Sequence, residues 1–75
     1  MNLTKKRKEK ELLKKKRENR ERLRQDIEDL EAEIRKTETV FNLTTDEYLL
    51  ESAIFEHNAQ RAKMNNLLKL AKETQ

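Results

Sequence analysis

Residues 42–48 form the single interruption in a helical sequence pattern that otherwise runs through the whole chain. No glycine or proline marks the interruption, because the chain contains neither residue. The signal lies instead in Asn and Thr side chains, which bond to nearby backbone groups and so compete with helix formation. Thr44, with Glu47 three residues later, matches the capping box of a helix start, and Leu43 and Tyr48 would form its hydrophobic staple. The chain is therefore expected to leave one helix and begin another here.

The sequence before the interruption repeats at alternating steps of three and four positions, which is the a and d spacing of a coiled coil. The members of this heptad pattern are Leu13, Lys16, Arg20, Leu23, Ile27, Leu30, Ile34, Thr37 and Phe41. Lys16 and Arg20 would have to extend their charged ends out of any tight seam. We therefore predict a first helix over residues 13–41, preceded by a basic extension over residues 1–12 that stays solvated and frays.

The sequence after the interruption carries a broad apolar stripe at helical spacing, which predicts packing against the first helix. Its members are Leu50, Ala53, Ile54, His57, Arg61, Met64, Leu67, Leu68 and Ala71. A second stripe, which we call the outer stripe, consists of Tyr48, Phe55, Ala59 and Ala62 and lies about 140° around the same helix. Since one stripe suffices to pack on the first helix, the outer stripe has no partner inside the chain. It is the predicted partner-binding surface.

These patterns predict an all-α fold, an antiparallel two-helix hairpin of the coiled-coil kind in a single domain. Its parts are the first helix, a turn at residues 42–44 and a second helix over residues 45–73. A hairpin of this size buries little apolar surface, and the outer stripe needs a cover. We therefore expect two hairpins to dimerise into a four-helix bundle. The alternative arrangement is a long kinked helix that pairs with a second molecule in antiparallel fashion.

Charge is distributed unevenly along the chain. Residues 1–24 contain twelve basic and four acidic side chains, for a net charge of +8, whereas residues 25–48 carry −6 and the remainder +1. The densest basic segment comprises Lys14, Lys15, Lys16, Arg17, Arg20, Arg22 and Arg24. Such a helix can neutralise several phosphates and bind nucleic acid with a steep salt dependence. A solvated helix face and a contact with an acidic protein surface are the other readings of this segment.

Enzymatic chemistry is not expected, because the chain has one histidine, no cysteine, no glycine-rich phosphate loop and no nucleophile beside a base. No catalytic residue, metal site, cofactor or small-molecule substrate is therefore predicted. His57 lies on the apolar stripe and is expected to bond to a polar neighbour, with a pH-sensitive interface or a metal ligand as alternatives. The absence of cysteine fits a cytoplasmic protein. No apolar run approaches the length of a membrane span, so neither a span nor a signal peptide is expected.

Four residue pairs in the second helix have the order and spacing found in the C-terminal helix of the YaaL-like family of short uncharacterised bacterial proteins. They are Ile54-Phe55, Ala62-Lys63, Leu67-Leu68 and Ala71-Lys72. Residues 53–72 resemble that family, whereas the first helix lacks the tryptophan typical of it. The resemblance implies a short helical protein of bacterial or phage origin, and it implies no particular activity.

Two functions follow as hypotheses. The first is a non-enzymatic helical interaction or assembly module, of the adaptor or inhibitor type, which binds a protein partner or a second copy of itself through its helix faces. The second is nucleic-acid binding through the basic segment. Attachment to anionic lipid is less favoured, because the basic segment has no Trp or Phe to insert.

Overall fold

The chain folds into two α-helices joined by a short turn, in a computed structural model that describes residues 2–73. Helix α1 spans Asn2–Leu43 and helix α2 spans Glu47–Glu73. The two helices pack along each other within one chain, so the predicted all-α hairpin is confirmed and the kinked long helix is wrong. The molecule is a rod with extents of 68 × 15 × 15 Å.

Helix α1 is longer at both ends than the sequence pattern predicted. It begins at Asn2 and passes through residue 13 without a break, because Lys, Glu and Leu are good helix formers. At its other end it continues to Leu43, past Thr37 and Thr39, which are β-branched and therefore weak helix formers. The hydroxyls of Thr37 and Thr39 donate hydrogen bonds to the carbonyl oxygens of Glu33 and Arg35, four residues earlier, and so remain compatible with the helix.

The start of α2 is capped by Asp46, and the predicted capping box of Thr44 and Glu47 is wrong. The Oδ1 atom of Asp46 accepts hydrogen bonds from the backbone amides of Tyr48 at 2.8 Å and Leu49 at 3.2 Å. Thr44 lies too early to cap the helix, and its hydroxyl instead accepts a 3.1 Å hydrogen bond from the Asp46 amide. A carboxylate at this position also interacts favourably with the positive end of the helix dipole.

The turn consists of residues 44–46, two residues later than predicted. The predicted staple between Leu43 and Tyr48 is also wrong, because these side chains are 78% and 84% exposed. Both apolar side chains therefore face solvent on either side of the turn.

The seam between the helices follows strict heptad steps on both sides. Its members, buried or half-buried, are Leu23, Ile27, Leu30, Ile34 and Thr37 of α1 and Leu50, Ala53, His57, Gln60, Met64, Leu67 and Ala71 of α2. Gln60, and not Arg61 as we had predicted, occupies the next seam position after His57, and Arg61 is exposed. The reason is that the heptad step after His57 is three residues, which leads to Gln60. Ile54 and Leu68 were also predicted in the stripe, and they lie exposed on its flank.

The core of the hairpin is small and partly polar. Among the described residues only Leu30 and Ala53 are buried apolar residues, and Thr37 and Gln60 are buried beside them. The Oε1 atom of Gln60 has no hydrogen-bond partner within the described residues. A buried acceptor without a partner costs stability, so the seam alone is a weak source of folding energy.

Candidate interaction surfaces

The outer stripe lies exposed on the side of α2 that is turned away from the seam. Tyr48 is 84% exposed and Phe55 is 68% exposed, and Ala59 and Ala62 are exposed as well. Nothing in the described chain covers these four side chains. Their predicted role in partner binding remains a prediction.

Exposed apolar side chains are concentrated around the turn. They comprise Val40, Phe41, Leu43, Tyr48, Leu49, Ile54 and Phe55, which we call the turn-end cluster. The cluster contains all three aromatic residues of the chain. Aromatic side chains dominate the energetics of many protein interfaces, and large exposed apolar patches mark interaction sites. The sequence pattern alone revealed only the α2 part of this surface, because the α1 part joins it only once the chain has reversed.

A shallow groove with acidic walls runs along one side of the hairpin, between α1 and α2. We call it the lateral groove. Its apolar floor is formed by Leu30, Val40, Leu49, Ala53 and Leu67. Its charged walls carry four carboxylates, from Asp26, Asp29, Glu33 and Glu56, against the two ammonium groups of Lys36 and Lys63. The combination of an apolar floor and a net negative charge favours a basic amphipathic helix as occupant.

His57 lies on the opposite side of the hairpin, half-buried in the seam. Its Nε2 atom is 3.7 Å from Oε1 of Glu38, which belongs to α1, and this separation is too long for the hydrogen bond that the sequence predicted. Phe41 and Asn42 border the same hollow. Across the described residues no group of three or more His, Cys, Asp or Glu side chains is placed to hold a metal ion.

The basic segment is exposed throughout, and its seven side chains fall into two classes. Arg24 forms ion pairs with Glu21 at 3.0 Å and Glu28 at 2.6 Å. The hydrogen bond and the charge of Glu21, together with the charge of Glu28, raise the pKa of Arg24 above its ordinary value. The other six, from Lys14 to Arg22, have no acidic side chain within salt-bridge distance among the described residues. Arg24 is therefore the least available of the seven for an external anion.

Most of the net positive charge of residues 1–24 lies beyond the end of α2. Helix α1 is 15 residues longer than α2, with 42 residues against 27. We call residues 2–16 the overhang. It contains eight basic and two acidic residues, for a net charge of +6, and every side chain from Leu3 onward in it is exposed. The overhang therefore has helical structure but no tertiary partner within the chain.

Over the described residues, neither α1 nor α2 has an apolar stretch of the length needed to cross a bilayer. Comparison of the chain with protein-family models, with curated proteins and with solved structures finds no match. The resemblance of residues 53–72 to the YaaL-like family therefore remains an expectation from the sequence.

Proposed function

We propose that this chain is a non-enzymatic helical assembly module, of the adaptor or inhibitor type, that associates through the turn-end cluster and the outer stripe. Its first partner in this proposal is a second copy, with which it forms a four-helix bundle. The alternative partner is a foreign protein that covers the same apolar surface with the apolar face of one of its own helices.

The observation that carries the proposal is where the apolar side chains lie: few are buried in the seam, and many are exposed near the turn. Among the described apolar residues the seam fully buries only Leu30 and Ala53, whereas the turn-end cluster leaves seven apolar side chains exposed. Fully burying one such side chain is worth about 1.5 to 3 kcal/mol, so covering several members of the cluster would add substantially to the stability of the hairpin. A second helix pair provides that cover, as in other four-helix bundles.

Sedimentation equilibrium tests the proposal, over a protein concentration range of about 1 to 100 µM. We expect the wild-type chain to form a dimer within this range. The double substitution Tyr48→Ser with Phe55→Ser removes two exposed aromatic anchors, and it should raise the dimer dissociation constant at least about tenfold.

The matched control is Asn58→Ser, which changes an exposed residue of the same helix without removing apolar surface. It should leave the dissociation constant unchanged. A wild-type chain that stays helical and monomeric over the whole range would contradict self-association. The partner would then have to be a foreign protein.

Nucleic-acid binding is the second candidate function. The observation that favours it is that the basic side chains from Lys14 to Arg22 are exposed and have no acidic neighbour within salt-bridge distance in the described part of the chain. Exposed, unpaired cations are the groups that neutralise phosphates and displace counterions. The segment contains no aromatic residue, so binding would depend on charge rather than on base stacking.

The test uses a double variant that carries both Arg17→Gln and Arg20→Gln, and the single variant Arg24→Gln is its control. Binding of each is measured on a labelled duplex and on a labelled single strand. The double variant should weaken binding and reduce the salt slope by about one unit for each lost phosphate contact. Arg24→Gln should have a smaller effect, because Glu21 and Glu28 already engage this guanidinium. Failure of the wild-type chain to bind either probe at low salt would exclude this function.

A further inference from the structure

The overhang and the lateral groove have opposite charges and belong to the same chain. The overhang carries +6, and the segment of residues 25–48, which includes the α1 wall of the groove, carries −6. Four carboxylates line the groove against two lysines, whereas the basic side chains of the overhang have no acidic partner within salt-bridge distance among the described residues. Opposite potentials of this kind orient two surfaces and set their register.

The lengths of the two features also match. The overhang of 15 residues is about 23 Å long at 1.5 Å per residue. The α1 wall of the lateral groove runs from Asp26 to Val40, which is also 15 residues and about 23 Å by the same measure. Within one molecule the two cannot meet, because both belong to the unbroken helix α1.

From these observations we propose that the overhang of one copy occupies the lateral groove of a second copy, and the reverse, in an antiparallel two-fold dimer. The inference rests on the self-association proposed above, with a geometry in which three helices rather than four pack together at each end of the dimer. In a two-fold dimer each contact occurs twice, so both overhangs are placed at once. Each groove then becomes a three-helix packing unit made from two chains.

Apolar contacts accompany the charges in this arrangement. Leu12 and Leu13 are exposed on the overhang and, in the antiparallel register, lie beside the end of the groove floor that Leu30 and Leu67 form. The aliphatic stems of Lys14 and its neighbours can cover further apolar surface while their ammonium groups reach the carboxylates. The α2 wall of the groove adjoins the outer stripe, because Tyr48 and Ser52 are four residues apart on one helix.

Reciprocal charge reversal in the full chain tests the proposal. The first variant combines Lys14→Glu with Lys15→Glu in the overhang, and the second combines Asp26→Lys with Asp29→Lys, the groove carboxylates that the antiparallel register places beside Lys14 and Lys15. Each variant alone places like charges at both contacts of its homodimer, so its dissociation constant should rise about tenfold or more at low salt. A one-to-one mixture of the two variants should recover the wild-type affinity, because opposite charges then meet at both contacts.

The matched control is Lys69→Glu with Lys72→Glu, which changes the net charge by the same amount as the overhang variant but lies near the end of α2. It should dimerise like the wild-type chain, and circular dichroism should show equal helix content in all variants. The wild-type dimer should also weaken between about 0.05 and 0.5 M salt, because these charges are exposed.

Two results would overturn the inference. One is that the Lys14→Glu, Lys15→Glu variant dimerises with the affinity of the wild-type chain at every salt concentration. That result would leave the proposed self-association intact and show that the overhang takes no part in it. The other is a mixture that dimerises no better than either variant alone. A wild-type chain that is monomeric throughout would instead contradict the proposed self-association together with the inference. Loss of duplex binding by the overhang variant without any change in dimer affinity would assign the overhang to nucleic acid.

Discussion

The two ends of α1 belong to one unbroken helix but differ in partner, charge and apolar content. The half near the turn packs on α2, supplies three of the four carboxylates of the lateral groove and contains Phe41. The overhang has no tertiary partner, is strongly basic and has no aromatic residue. The comparison teaches that the helix propensity of the residues determines where α1 forms, whereas the presence of a facing apolar stripe determines where it packs. The predictions below are ordered from the largest expected effect to the smallest.

Leu30→Ala should have the largest effect on folding. Leu30 is 2% exposed at the centre of the seam, and truncating such a side chain typically costs about 2 to 5 kcal/mol. In a hairpin with so small a core, we expect extensive unfolding by circular dichroism at room temperature.

Leu3→Ala is the matched substitution at the other end of α1, where the side chain is exposed. It should change the free energy of unfolding by no more than about 0.5 kcal/mol. Equal losses for the two variants in urea titrations would mean that the overhang is packed in the folded molecule, and the contrast between the two ends would be wrong.

Gln60→Leu should stabilise the hairpin. The substitution removes a buried acceptor that has no partner and places an apolar side chain in the seam, a gain of about 1 to 3 kcal/mol. Arg61→Leu is the control, because Arg61 is exposed one position away and should have little effect. A loss of stability in Gln60→Leu would show that the amide has a hydrogen-bond partner in solution.

Asp46→Ala should have a smaller effect, at the turn. Losing the carboxylate that caps α2 should lower the free energy of unfolding by about 1 kcal/mol. Glu47→Ala should cost less, because the Glu47 side chain has no hydrogen bond in the described structure. If Glu47→Ala proved as costly as Asp46→Ala, the capping box expected from the sequence would describe the solution structure better.

The hairpin and most of its seam could be predicted because heptad spacing depends only on sequence separation. Leu23, Ile27, Leu30 and Ile34 occupy the seam positions that their spacing predicts. The details of the turn could not be predicted as well, because Thr44 and Asp46 are both good capping residues and two residues apart. The seam position of Gln60 was missed because the stripe was predicted mainly from the spacing of apolar residues, and glutamine is polar.

The candidate surfaces were predicted in part. The outer stripe follows from the helical spacing of Tyr48, Phe55, Ala59 and Ala62, all of which are exposed. The turn-end cluster and the lateral groove combine residues from both helices, such as Val40 with Leu49, whose proximity depends on how the chain reverses. The sequence also could not show that Arg24 alone among the seven basic residues is engaged by neighbouring carboxylates.

The fluorescence of Tyr48 provides the most direct test of the claim that the turn-end cluster is covered by a second copy. The chain has one tyrosine and no tryptophan, so its emission reports on this surface alone, and Tyr48 is 84% exposed in the single hairpin. We expect quenching by neutral acrylamide to weaken as the protein concentration rises from about 1 to 100 µM, because dimerisation buries the ring. Quenching that stays constant over this range, in a chain that remains helical, would contradict the claim.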